Sequence, residues 1–195
     1  MTTGRHVVGA DPDLRGDLRE ADHLLHGLAA ELALPDGAIA CTHAVRDGRP
    51  RLGFSFALPT ADAARALRER LGRTRQGWGV ALGGHRDGPA ALAAGAAHAA
   101  AEHEARSAGR AVLYPGAGGL TGTVTVASLL TSTAVDRVRV LGSPDAPLPD
   151  RRIVTRDHVR PHWEDGRLVL AAIPAAGGTL VPFEVPDPTP CCPAP

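Results

Sequence analysis

The 195-residue chain contains no lysine and no asparagine; all 21 of its basic residues are arginines. Without lysine there is no Schiff-base chemistry, no lysine nucleophile and no phosphate-binding P-loop lysine. Codons of a GC-rich genome favour Arg, Ala, Gly and Pro, so clusters of arginine carry little functional weight by themselves. Aromatic residues are scarce too. Phe54, Phe56, Trp78, Tyr114, Trp163 and Phe183 are the full set, too few for a platform on which bases stack. The basic residues are matched by 21 acidic ones. No net charge draws the chain to phosphates or to an anionic membrane, so nucleic acid is not an expected partner. No apolar run reaches the length of about 18 residues that a spanning helix needs. The opening "MTTGRHVVGADPDLRGD" also lacks the apolar centre of a leader. Three cysteines, Cys41, Cys191 and Cys192, cannot build a disulfide framework. These absences together predict a soluble, cytoplasmic protein with no membrane partner.

What is present is enough to fold. Hydrophobic residues make up 44% of the chain and charged residues 22%, which suits a single domain spanning residues 1–195. Leu14, Leu18, Ala21, Leu25, Leu28 and Leu32 recur at steps of three and four and predict an amphipathic helix over 13–34. "AIACTHAV" and "RLGFSFAL" flank the turn "RDGRP" and read as a β-hairpin. "ADAARALRERLG" reads as a second helix and "GWGVALGG" as a third strand. The alanine-rich "GPAALAAGAAHAAAEHEARSAG" reads as a third helix, weakened by about 1 kcal/mol at Gly95. From residue 111 onwards short β-like runs follow, including "GTVTVASLL", divided by Gly, Pro and Asp turns. The expected class is α+β: a helix-rich N-terminal part with a small β-β-α-β sheet after a leading helix, then a largely antiparallel β-rich part. The two lobes divide near residue 110, the second running over 111–186, and residues 187–195 form a flexible tail.

Several residues are candidates for chemistry. Alternation in "AIACTHAV" turns Ile39, Cys41, His43 and Val45 to one face, and a core-facing imidazole needs a hydrogen-bond partner or a cavity. In "YPGAGGLTG", Gly116, Gly118, Gly119 and Gly122 follow a strand-like run ending at Tyr114 and could bring backbone amides to an anion. Thr121 stands where a dinucleotide fingerprint needs its third glycine, so that motif fails. "TRDHVRPHWED" places His158 and His162 four residues apart, with Asp157, Glu164 and Asp165 nearby. Cys191 and Cys192 are an adjacent thiol pair suited to a soft transition metal. On the third helix His98 and Glu102 share a face, whereas His98 and His103 do not.

The leading expectation is an accessory protein that binds a small molecule or a protein partner in a cleft between the lobes. His43, Tyr114 and glycines 116, 118, 119 and 122 would border that cleft. A second expectation is a soft-metal protein of the Zn or Cu type using Cys191, Cys192, His158 and His162. A third is an enzyme with His43 or His158 as general acid/base. The leucine stripe of the first helix would also serve a homodimer.

Overall fold

A computed structural model describes residues 6–186 of the chain. Cys191 and Cys192 therefore lie outside the described residues. The first described element is a strand, β1 (His6–Leu14), which runs to where a helix start was expected. Pro12 and Asp13 do not begin a helix. They sit in an irregularity between Ala10 and Leu14, where the pairing of β1 with its neighbour shifts, and Asp13 takes φ +56°. A bulge of this kind is one of the few places where a strand tolerates proline.

Helix α1 (Leu18–Leu32) begins at Asp17, whose Oδ1 accepts the Glu20 N–H at 2.9 Å. Its buried face carries Ala21, Leu25, Leu28 and Leu32, most of the expected stripe. The hairpin follows as β2 (Ile39–Val45) and β3 (Arg51–Leu58), paired antiparallel with His43 opposite Gly53. Helix α2 (Ala61–Thr74) is capped by Thr60, and β4 (Gly79–Leu82) returns beside β1. Strand order β4-β1-β3-β2 with all neighbours antiparallel is the interleaved β-α-β-β-α-β connection of ferredoxin-like sheets. Such a topology fixes where side chains meet and says nothing by itself about activity.

The short β5 (His85–Asp87) extends one edge, and β6 (Arg110–Leu113) joins the other edge beside β2. Between them runs α3 (Ala90–Ala105), laid against β1, β4, β3 and β2. The N-terminal part is thus a sheet clad in helices on both faces, with β1 near its centre. Phe54, Phe56 and Leu58 pack with Leu25, Leu28, Leu67 and Leu71 in one core. The residues between them in sequence face the other core, where Cys41, Ala57 and Ala100 meet.

After β6 come β7 (Thr123–Thr125), α4 (Val126–Ser132), β8 (Arg137–Val140), β9 (Arg152–Val154), β10 (His162–Glu164), β11 (Arg167–Pro174) and β12 (Leu180–Pro182). Helix α4 corrects the strand expected in "GTVTVASLL". Thr125 accepts the Ser128 N–H at 3.1 Å and starts a helix there, and Val126 and Leu129 bury themselves on its inner side. The second part remains mostly antiparallel, apart from β8 on β11 and β9 on β12. Among the described residues, all twelve strands belong to one sheet. The α+β class holds, and among the described residues no helix is long and apolar enough to cross a membrane.

Candidate functional site

Strand alternation on β2 turns Cys41 and His43 toward α3, and the hairpin register brings Ser55 opposite Cys41 on the same face. The last turn of α3 lowers Glu102 and His103 onto that face. Four side chains then join in a chain. Glu102 Oε2 lies 2.8 Å from His43 Nδ1, His43 Nε2 lies 2.7 Å from Ser55 Oγ, and Ser55 Oγ lies 2.7 Å from His103 Nδ1. A carboxylate only accepts, so His43 donates its Nδ1–H to Glu102 and accepts the Ser55 O–H at Nε2. The second Glu102 oxygen meets His98 Nε2 at 3.2 Å. The His43 hydrogen bond and nearby imidazoles hold the Glu102 carboxyl below its ordinary value, against the opposing effect of burial.

Carboxylate, imidazole and hydroxyl stand here in the order of a hydrolase triad. Ser55 is fully buried, however, and its oxygen is shared with His103. Both nitrogens of His43 are also occupied. The relay therefore holds His43 in place and presents no free nucleophile. Cys41 is buried beside it, and burial pushes its thiol up to about 12, partly opposed by Trp163, Ser55 and Arg110.

A cleft of about 830 Å³ opens next to this cluster. Its apolar walls include Leu18 of α1, Leu52 of β3 and Ala94 of α3; its polar side includes His43, Glu102 and His162 together with the charged Arg46, Asp47 and Arg110. The cleft wraps an uncovered strand edge. Pairing of β2 with β6 ends at Thr42 opposite Arg110. On β6, the Ala111 N–H and the Gly109 carbonyl point away to β10, so Arg110 turns its backbone groups toward Thr42. By the same alternation Ala44, two residues on, directs its N–H and C=O along that edge. No described strand covers it.

Arg110 and His162, which line the cleft, also belong to a second charged cluster. Arg110 Nη1 donates to Asp22 at 2.6 Å, and Arg110 Nε donates to Glu184 at 2.7 Å. Arg160 adds a bond to Asp22 at 2.9 Å, and His158 Nε2 lies 2.9 Å from Glu184. Burial would raise the Glu184 carboxyl, but His162, Arg110 and His158 outweigh it and hold the group well below the carboxylate range. His162 lies 3.9 Å from Glu184, an ion-pair distance and not a hydrogen bond.

The structure brings His43 and His162 to one cleft, and joins His158 and His162 through Glu184. It does not bring Tyr114 or the glycine loop there. Tyr114 is buried, its hydroxyl donating to the Val159 carbonyl at 3.0 Å. The Gly122 N–H donates to Asp157 Oδ1 at 2.9 Å, and a Cβ on Gly116 would strike the Ser132 carbonyl at 2.1 Å. These glycines make a pinned turn. Ser55, Glu102, His103 and Ala44 were absent from the expected site; only the shared helical face of His98 and Glu102 pointed to one of them. No protein-family description, curated protein or solved structure matches this chain.

Proposed function

We propose that the protein binds an extended, peptide-like ligand, free or as a segment of a protein partner, along the uncovered edge of β2. The observation that carries this reading is the cleft itself, which wraps an open strand edge at Ala44 between apolar walls. A strand edge recognises an amide chain through its backbone groups, and the walls receive alternate side chains. The volume and mostly apolar lining also fit a ligand pocket with a few converging polar groups.

Ligand-observed NMR with a panel of capped valine- and alanine-rich tetrapeptides tests it, beside analogues in which one amide is an ester. The peptides are expected to bind, the esters to bind more weakly, and Ala44→Pro to abolish binding without unfolding the chain. Ala94→Trp, which fills the cleft, should do the same. Absence of binding across the panel, or binding untouched by both variants, contradicts the reading.

A second reading keeps a soft-metal site on Cys191 and Cys192 with His158 and His162. What supports it is that Glu184 brings the last described segment against both imidazoles. Its test is cobalt stoichiometry: a Cys191→Ser/Cys192→Ser variant is expected to bind one equivalent fewer than the unaltered chain, and an unchanged stoichiometry contradicts it.

A further inference from the structure

We propose that Cys41, His43 and His103 form a buried binding site for a zinc-class divalent ion, separate from the cleft ligand and from the C-terminal cysteines. One ligand atom from each residue lies within 4.8 Å of the others, and all three residues are buried. In a tetrahedral zinc site, bond lengths of about 2.0–2.3 Å put neighbouring ligand atoms about 3.3–3.6 Å apart. Binding therefore draws these atoms together by up to about 1.5 Å. One thiolate with two imidazoles is a donor set preferred by zinc and copper, and poorly suited to magnesium or calcium.

A second observation points the same way. Glu102 holds His43 Nδ1 at 2.8 Å, so the lone pair sits on Nε2, and a metal ion there takes the place of the Ser55 O–H that Nε2 otherwise accepts. A carboxylate behind a ligating histidine in this manner fixes its tautomer and raises its basicity. Charge also balances. A divalent ion, the Cys41 thiolate and the Glu102 carboxylate sum to zero, which removes most of the penalty for burying an ion. The Ser55 hydroxyl, 2.7 Å from both imidazoles, offers a neighbouring oxygen donor.

Gly109 is where the cleft and the cluster adjoin. It lines the cleft next to His43, and a Cβ there would lie 2.6 Å from His43 Cε1. The binding step is M²⁺ plus the Cys41 thiol giving the metal thiolate and one proton, which passes to solvent. Cys41 and His43 make a C-x-H pair on one strand face, and His103 closes the set from α3. This spacing resembles no C-x-x-C signature, and it becomes a cluster only when α3 packs.

The experiment is a Co²⁺ titration of the full chain without an affinity tag, followed by absorption spectroscopy and by proton release in weak buffer. One equivalent of Co²⁺ is expected to give a thiolate-to-cobalt charge-transfer band with tetrahedral d–d bands, release about one proton, and be displaced by Zn²⁺. The bands should vanish in Cys41→Ala and in His103→Ala, and persist in Cys191→Ser/Cys192→Ser. Should either ligand variant fail to fold by circular dichroism, Glu102→Gln decides, with affinity expected to fall about 10–100-fold. The proposal is overturned by absence of a thiolate band, by its survival in folded Cys41→Ala, by its loss in the tail variant, or by unchanged affinity in Glu102→Gln.

Discussion

Gly109 governs where His43 can sit. Its φ of +120° disfavours any side chain, and a Cβ would press on the imidazole. Gly109→Ala is therefore expected to destabilise the protein by about 2–3 kcal/mol and to displace His43, seen as a lower unfolding midpoint and shifted imidazole NMR signals. A stable variant with unmoved signals would show that the packing there is looser than described. The inward turn of Cys41 and His43 was legible, because alternation along a strand is a local property. Their partners were not. Glu102 is 59 residues from His43 and Ser55 is 12 away, and nothing local in the sequence announces such contacts.

At the scale of the element, α3 rests on the sheet through missing side chains. A Cβ on Gly9 would lie 1.8 Å from the Ala96 carbonyl oxygen, and one on Gly79 2.0 Å from the Leu92 carbonyl carbon. From the helix side, a Cβ on Gly95 would meet Asp11 Oδ2 at 2.0 Å. Asp11 is fully buried and accepts the Arg51 Nε–H at 2.8 Å. Gly95, which weakens the helix on propensity alone, is thus the gap that admits an ion pair. Gly95→Ala would gain about 1 kcal/mol in helix propensity, yet the clash with a buried carboxylate should leave a net loss of about 2–4 kcal/mol. Urea unfolding checks the sign, and a more stable variant would refute this account of α3 packing. The long periodic helices and the hairpin could be read from sequence because their patterns span many residues. Strand β1 could not, since Pro12 imitates a helix start, and α4 could not, since its first turn follows the β-branched run Thr123–Thr125.

For the molecule as a whole, the cluster of Asp22, Arg110, Arg160 and Glu184 ties α1 to β6 and to the segment after β12. Asp22, Glu102 and Glu184 all titrate below their ordinary values. Through these three groups the unfolded chain binds more protons than the folded one under acid conditions, opposed by Asp11, which burial holds above its ordinary value. Their stabilising contribution is complete above about pH 5 and drains away as pH falls through the unfolded values near 4 toward the folded ones. Glu184→Gln should cost about 1–3 kcal/mol at neutral pH and flatten the acid limb of stability measured by urea midpoints. Parallel curves for both proteins would contradict it. The raised Cys41 thiol acts at the other end: stability should decline as pH climbs past about 8.5, where the unfolded thiol ionises.

The central claim is that the open edge of β2 is where a ligand chain lies. Amide exchange of the ¹⁵N-labelled protein, recorded by NMR with and without the capped tetrapeptides, addresses it residue by residue. The Ala44 N–H is expected to exchange freely in the protein alone and to become protected and shifted when peptide is present, while the Thr42 N–H is protected throughout. An Ala44 amide that stays unprotected with peptide bound, or shifts confined to the glycine turn at 116–122, would contradict the claim.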